Sequence, residues 1–292
     1  MAGGSAFTQE PETSEPRLLA NLLTRMALRV TINGRRGALF VLDTGAGRTV
    51  IAEDLARAWE LPPRAPVLVH GLTAAQTAPT VHINRLNVGG RRIHDLHAPV
   101  FPRAALAADG LIGLDVLGRF RLDLHIPRRR VQMRPSGPDV VAVGDAGHRA
   151  TRLSGPERPA RRGRFGALIL KGFVEGLEVD VFVDTGAQYS IGNLALLRSV
   201  GGDPAGLERI TVYGVTGQVL AAASGHVRDM RLGTQRLGPT PLLFADLHAF
   251  QVLELIERPA LLIGADLLYR FREVTLDFGR SRMAFRGLRR PG

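Results

Sequence analysis

One short motif occurs twice in this chain of 292 residues, and it constrains the fold more than any other feature. Residues 43–46 and residues 184–187 both read Asp-Thr-Gly-Ala, and each copy directly follows a short apolar run. In a chain this rich in Gly and Ala, one chance copy has odds of roughly one in a hundred, and two copies have far lower odds. We therefore interpret the pair as an internal repeat.

The sequence around the two motifs repeats as well. Leu-Ile-Gly follows each copy, at residues 111–113 and at residues 262–264. The repeating unit is therefore a whole lobe that contains strands, turns and a short helix in the same order. We predict an N-terminal lobe at residues 17–134 and a C-terminal lobe at residues 165–292.

Two segments lie outside the predicted lobes. Residues 1–16 are rich in Glu, Pro, Ser and Thr and poor in large apolar groups, which predicts a disordered tail. Residues 135–164 carry Pro, Gly, Ser and Arg without a periodic apolar pattern, which predicts a linker. The first residues lack the basic start and apolar run of a signal peptide, so we expect a cytoplasmic protein. A periplasmic or secreted protein is the alternative if a leader has been removed.

The pattern within each lobe predicts mainly β-structure. Apolar and polar residues alternate from Met26 to Ile32, and Asn33-Gly34 then gives a strong signal for a hairpin turn. The same order of strand, turn, strand and motif restarts at Leu168. Turn signals recur about every 8–12 residues, which is typical of small β-barrels. Each lobe is therefore predicted to be a barrel-like unit.

Composition excludes several functional classes. The chain has no cysteine, which excludes disulfides, thiol nucleophiles and zinc–thiolate sites. No apolar run is long enough to predict a transmembrane segment. The net charge is +11, but aromatic residues make up only 5% of the chain, too few for the stacking surface of a single-strand nucleic-acid-binding protein. We interpret the basic clusters as solvated loops and predict no specific nucleic-acid partner, although an anionic partner stays open.

The two motifs, the apolar run before each and the Leu-Ile-Gly after each resemble the aspartic protease superfamily. The Ala that ends each motif makes the chain most similar to retropepsin-like proteins, in particular to bacterial ones, here with two Asp-Thr-Gly-Ala lobes in a single chain. The resemblance covers residues 25–134 and 165–286. It implies a mainly β fold with two pseudo-symmetric, aspartic-protease-like β-barrel lobes and a cleft between them.

The resemblance also implies an aspartic endopeptidase whose catalytic residues are Asp43 and Asp184, one from each lobe. Two carboxylates brought close together cannot both ionise, so they share a proton; aspartic proteases are the usual example. One carboxylate then activates a water, and the other protonates the oxygen of the scissile carbonyl. Four residues would support these loops by close approach of the glycines and by threonine hydrogen bonds across the contact: Thr44, Gly45, Thr185 and Gly186.

A hairpin from each lobe is predicted to cover the cleft as a flap. Its position between the motif and Leu-Ile-Gly places the tips at Gly71 and Leu72 in the first lobe and at Tyr213 and Gly214 in the second. Tyr213 would hydrogen-bond a bound peptide, or it would instead be a half-buried aromatic residue of a strand.

The other polar patterns do not predict cofactor or metal chemistry. His94 and His97 lie three residues apart on a predicted strand, so they face opposite sides and do not predict a metal site. Asp115 and Asp266 also repeat, but they open short helices and are interpreted as caps or first-turn charges. We expect no cofactor and no metal.

We expect a peptide or protein substrate and a monomer with pseudo-twofold symmetry. Two alternatives stay open: a catalytically silent binding or scaffold protein that keeps the protease fold, and a protease that is active only as a homodimer.

Overall fold

The computed structural model describes residues 26–136, 157–213 and 218–289. We refer to residues 26–136 as the N-terminal half and to the described residues from 157 onward as the C-terminal half. The predicted tail at 1–16, most of the predicted linker and the predicted flap residue Gly214 lie outside the described residues.

Seven strands of the N-terminal half form the first sheet: β1 (Ala27–Ile32), β2 (Arg35–Leu42), β3 (Val50–Ala52), β4 (Pro63–His70), β5 (Ala75–Val88), β6 (Arg91–Phe101) and β7 (Gly110–Ile112). Their order is β1-β2-β7-β3-β6-β5-β4. Because β1 also pairs with β5, all of these strands except β4 close into a barrel. Three short helices belong to this half: α1 (Glu53–Ala58), α2 (Arg103–Leu106) and α3 (Leu114–Leu117).

The first hairpin follows the predicted pattern. Val30 and Ile32 are buried, whereas Arg29 is exposed and Thr31 is half-buried. Asn33 and Gly34 both have positive φ, 50° and 89°, as a tight hairpin turn between right-twisted strands requires. The sequence predicts a short helix at residues 51–59, but α1 starts at Glu53, because residues 50–52 pair as β3 with β6 and β7.

Ten strands form the sheet of the C-terminal half: β11 (Arg161–Arg162), β12 (Leu168–Val174), β13 (Leu177–Val183), β14 (Ile191–Gly192), β15 (Arg209–Tyr213), β16 (Val219–Val227), β17 (Met230–Leu232), β18 (Gln235–Arg236), β19 (Thr240–Phe244) and β20 (Ala260–Ile263). The order is β15-β16-β19-β14-β20-β13-β12-β17-β18, with β11 beside β12. Among the described residues this sheet has two open ends. The prediction of a mainly β chain is confirmed.

Three helices and two 3₁₀ turns complete this half: α4 (Leu194–Ser199), α5 (His248–Val252), α6 (Ala265–Leu268) and the turns Arg164–Gly166 and Pro204–Gly206. The sequence predicts a short helix at residues 194–199, and α4 has these bounds. Asn193 caps it by accepting a hydrogen bond of 2.8 Å from the backbone N–H of Leu196.

A third sheet joins the two halves. Its strands are β8 (Phe120–His125), β9 (Arg130–Pro135), β10 (Arg158–Pro159), β21 (Phe271–Asp277) and β22 (Arg282–Leu288), with a 3₁₀ turn at Ile126–Arg128 between β8 and β9. The order is β10-β22-β21-β8-β9. The sequence predicts β8–β9 and β21–β22 as hairpins that close separate lobes, whereas β8 pairs antiparallel with β21. That pairing satisfies the backbone groups that each hairpin would leave open at its edge.

One apolar core extends through both halves. Its largest fully buried side chains include six phenylalanines: Phe40, Phe120, Phe244, Phe250, Phe271 and Phe278. Burial of each such ring stabilises the fold by about 1.5–3 kcal/mol relative to its exposure. None of the helices in the described ranges has the length and apolar character needed to cross a lipid bilayer.

Candidate active site

Each Asp-Thr-Gly-Ala motif starts where a buried strand ends. Strand β2 runs parallel to β7, and the backbone N–H of Asp43 donates to the carbonyl of Ile112 over 3.0 Å. In the C-terminal half β13 runs parallel to β20, and the N–H of Asp184 donates to the carbonyl of Ile263 over 3.0 Å. The repeated Leu-Ile-Gly segments therefore supply the neighbouring strands that aim the two aspartates.

Each motif aspartate accepts two hydrogen bonds from its own loop through one carboxylate oxygen. Asp43 Oδ1 accepts from the N–H groups of Gly45 and Ala46 over 3.0 and 2.9 Å. Asp184 Oδ1 accepts from Gly186 and Ala187 over 2.8 and 3.1 Å. The residues are only 8% and 7% exposed, so the carboxylates depend on these donors in place of water.

The two loops bind each other through their threonines. Thr44 Oγ1 donates to the carbonyl of Val183 over 2.7 Å, and Thr185 Oγ1 donates to the carbonyl of Leu42 over 2.6 Å. Each hydroxyl also accepts from the other threonine's N–H, over 3.1 and 3.2 Å. All four bonds are buried and reciprocal, so they fix the two loops relative to each other.

The glycines of the motifs make room for the opposite carboxylates. A Cβ at Gly45 would lie 2.8 Å from Asp184 Oδ1, and a Cβ at Gly186 would lie 2.6 Å from Asp43 Cγ. Real Cβ atoms do not approach other atoms so closely, and only glycine fits at these places. The structure therefore brings Asp43 and Asp184 to one place, each against the other half's motif.

A second pair of aspartates supports the loops from below. Asp115 Oδ1 accepts from both the N–H and the hydroxyl of Thr49, over 2.9 and 2.7 Å. Asp266 accepts from the N–H and the hydroxyl of Ser190 over 3.0 and 2.6 Å. Burial raises the pKa of both carboxyls, and these hydrogen bonds oppose the rise.

Asp115 and Asp266 thus do more than the predicted capping. Each lies in the first turn of its helix and accepts from the next N–H, but it also ties that helix to the motif loop. Thr49 and Ser190 were missed by the sequence reasoning. The signal for them is a hydroxyl residue six positions after each motif aspartate.

Both aspartates of the motifs line one cleft of about 260 Å³. Its wall is largely apolar, with Val50, Leu106 and Leu111 from the N-terminal half and Phe182, Ile191 and Leu253 from the C-terminal half. The predicted flap residues Gly71 and Leu72 line it as well. On the opposite side, Thr211 and Val212 of β15 line it, and Tyr213 ends that strand.

The turn between β4 and β5 is attached to the C-terminal half. The N–H of Ala249 donates to the carbonyl of Leu72 over 3.3 Å. His70 Nδ1 lies 3.0 Å from His248 Nε2, at hydrogen-bond distance, and the two rings are nearly parallel. Phe165 also lies close to His70, with the two ring centroids 5.7 Å apart. The contacts of His70 with His248 and Phe165, together with the backbone hydrogen bond from Ala249 to Leu72, thus hold this turn over the cleft.

His94 and His97, which sequence reasoning set aside, both belong to β6. Close to them, His82 Nε2 lies 3.3 Å from Asp95 Oδ1, at hydrogen-bond distance. Within the described ranges, no group of three or more His, Asp or Glu side chains is arranged to hold a metal ion.

Two protein families match this chain, one at each motif. The family described as "gag-polyprotein putative aspartyl protease" matches residues 28–119, and the family described as "Aspartyl protease" matches residues 170–267. Among solved structures, a retropepsin-like aspartic protease from Rickettsia conorii matches with a TM-score of 0.33 and 20% identity, over 44% of this chain and 87% of its own. None of the curated proteins that were compared matches the chain.

Proposed function

We propose that this chain is a retropepsin-like aspartic endopeptidase that hydrolyses peptide bonds with Asp43 and Asp184, because an aspartyl protease family matches each half of the chain. One observation carries the proposal: two buried aspartates, one from each half, meet in a single cleft and are held there by reciprocal threonine bonds. The apolar wall suits the side chains of an extended peptide.

The arrangement accounts for the chemistry of hydrolysis. Oδ1 of each aspartate accepts from two backbone N–H groups, which fix the orientation of the carboxylate. In this proposal the pair of carboxylates acts together on a water and the substrate. Two like charges at such proximity cannot both persist, so the pair holds one proton. The ionised carboxylate takes a proton from the attacking water, while the protonated one donates to the carbonyl oxygen of the scissile bond.

The hairpin turn at residues 70–75 acts in this proposal as a flap over the cleft, with Gly71 and Leu72 at its tip. Tyr213 and Gly214 would form its counterpart in the C-terminal half. The substrate would enter when the flap turn separates from α5.

We further propose that the active species is a monomer. Both aspartates, both threonines and the joining sheet come from one chain, so a second copy has no missing residue to supply. Sedimentation of the active protein at assay concentration tests this, and activity confined to a dimer fraction would contradict it.

The test of the reaction is cleavage of an unfolded protein by the wild type, Asp43→Asn and Asp184→Asn. Each variant keeps the shape of the side chain and its Oδ1 acceptor but removes the shared proton chemistry, so we expect a loss of at least about 10³-fold in kcat/KM. The double variant should be hardly worse, because the pair acts as a unit. Unchanged thermal unfolding in each variant serves as the control.

The main alternative is a binding protein that keeps the fold without turnover. It predicts the same negligible rate for the wild type and for both asparagine variants, across a library of peptides and over a range of pH. That outcome would reject the endopeptidase.

A further inference from the structure

The two motif loops correspond residue by residue beyond the motifs themselves. The N–H of Leu114 donates to the carbonyl of Ala46 over 2.8 Å, and the N–H of Ala265 donates to the carbonyl of Ala187 over 2.9 Å. One residue further on, the backbone N–H of Asp115 donates to the carbonyl of Gly47 over 3.3 Å, and that of Asp266 donates to the carbonyl of Gln188 over 3.1 Å. Position 48 therefore corresponds to position 189.

The side chains at these corresponding positions differ in size and charge. The N-terminal half has Gly47 and Arg48, whereas the C-terminal half has Gln188 and Tyr189. All four residues line the cleft. In the C-terminal half the two neutral side chains bond to each other, Gln188 Nε2 donating to Tyr189 Oη over 3.2 Å. The backbone is thus pseudo-symmetric while the surface offered to a substrate is not.

The space beside Gly47 is occupied by a different part of the chain. The 3₁₀ turn Arg164–Gly166 lies against the N-terminal loop, and a Cβ at Gly47 would lie 3.2 Å from Phe165 Cβ. Phe165 has a φ of 56°, which is rare for a bulky residue and indicates that the surrounding contacts hold it there. The same turn brings Arg164 into the lining of the cleft.

Two arginines therefore border the N-terminal side of the cleft. In the part of the chain that the structure describes, neither Arg48 nor Arg164 forms a salt bridge, and the acidic residues that line the cleft are Asp43 and Asp184. Those two carboxylates are already engaged with backbone donors and with each other's loops. The guanidinium of Arg164 lies 5.7 Å from the ring centroid of Phe165, and the charge of Arg48 helps to lower the pKa of Asp115. Both arginines line the cleft without a carboxylate partner in a salt bridge among the described residues.

We propose that Arg48 and Arg164 form a subsite for an acidic side chain of the substrate, so that the cleft cuts peptides carrying Asp or Glu at one fixed position. The inference rests on the proposed endopeptidase function. Guanidinium groups bind carboxylates through charged, often bidentate hydrogen bonds. Because the corresponding positions in the C-terminal half are neutral, a peptide with one acidic residue binds in a single direction along the cleft.

The experiment uses short peptides in pairs that differ only by Glu or Gln, with that position moved along the sequence. For the wild type we expect the Glu peptide to be cleaved about tenfold faster, as kcat/KM, at one position relative to the scissile bond. Arg48→Gln and Arg164→Gln should each reduce that ratio, and together they should bring it to about one. Arg91→Gln, an exposed arginine at the start of β6, removes the same charge outside the cleft and should leave the ratio unchanged.

Measurements of peptide binding distinguish a failure of the subsite from a failure of the proposed function. The Kd of the labelled Glu and Gln peptides is measured for Asp184→Asn with and without Arg48→Gln. Cleavage without any preference for Glu would overturn the subsite and leave the endopeptidase standing. Preferential binding of Glu peptides that depends on Arg48, without cleavage by the wild type, would support the subsite and reject the endopeptidase. Equal binding of both peptides, or no binding of either, would overturn the subsite.

Discussion

At the scale of single residues, the two supporting aspartates use their oxygens differently. Asp115 accepts from Thr49 and from the N–H of Val116 through Oδ1 alone. Asp266 uses both of its oxygens. Its Oδ1 accepts from the Ser190 hydroxyl and from the N–H of Leu267, and its Oδ2 accepts from the N–H of Ser190. An amide has only one oxygen, so asparagine can replace the first carboxylate but not the second.

We therefore expect Asp115→Asn to change the free energy of unfolding by less than about 1 kcal/mol, since Oδ1 keeps its three donors. Asp266→Asn should cost about 1–3 kcal/mol, because either orientation of the amide leaves one backbone N–H without its acceptor. Denaturant unfolding of the two variants, made in parallel, measures the difference. Equal losses would contradict the assignment of the oxygens.

At the scale of elements, the turn between β4 and β5 is held by a contact that depends on protonation. The hydrogen bond between His70 and His248 requires one ring to be neutral. Burial lowers the pKa of His70, and the nearby His248 and Arg164 lower it further. A histidine whose pKa is lowered in the closed state favours closure above its ordinary pKa, near 6.5, and loses that contribution as pH falls through the lowered value.

Lowering the pH from about 7 to about 5 should therefore open the turn. The measurement is hydrogen exchange at the N–H of Ala249, which donates to Leu72, corrected for the intrinsic effect of pH on exchange. His248→Ala should show fast exchange at both pH values, since the imidazole pair is absent. His226→Gln, an exposed histidine on β16, should behave as the wild type. Protection that does not vary with pH in the wild type would argue against the histidine contact.

Local patterns predict the elements well and their distant partners poorly. The turn at Asn33-Gly34, the helix at 194–199 and both motif loops follow from residues that lie close together in sequence. The pairing of β8 with β21 joins segments about half the chain apart, and nothing local encodes its register. The same holds for Phe165, whose positive φ and contact with Gly47 depend on the packing of the whole molecule.

In the candidate site, too, the sequence predicts some residues and not others. The repeat singles out Asp43 and Asp184, because each half supplies one copy, and the family resemblance predicts the threonine contacts. The sequence pattern does not predict the hydrogen-bond partners of Asp115 and Asp266, and it does not predict that Arg48 and Arg164 lie at one cleft. These contacts join elements that are distant in the sequence.

At the scale of the whole molecule, the joining sheet is held by a buried ionic network around Arg121. Its guanidinium lies 3.1 Å from Asp123, 2.7 Å from Glu157 and 3.8 Å from Asp277. Thr275 on β21 also donates to Asp123 on β8 over 2.9 Å. Burial would raise the pKa of Asp123, but the bonds from Arg121 and Thr275 hold it below its ordinary value.

Arg121→Ala should leave two buried carboxylates short of a cation. A buried pair stripped of one partner typically loses about 3–5 kcal/mol, and because Arg134 and Arg280 remain near these carboxylates we expect about 2–3 kcal/mol. Unfolding should remain a single transition, since the joining sheet and the core belong to both halves. Arg130→Ala, at an exposed position on β9, is the control. Two separate transitions in the wild type would show that the halves unfold independently.

Because the two halves belong to one chain, a single mutation changes only one of them. In a symmetric dimer of identical chains, every substitution occurs on both sides of the active site at once. Here a codon change at position 48 or 189 alters one wall and leaves the other intact. The two walls can therefore be selected independently. A library confined to residues 47 and 48 would change the side chains of one wall and leave those of the other wall as they are.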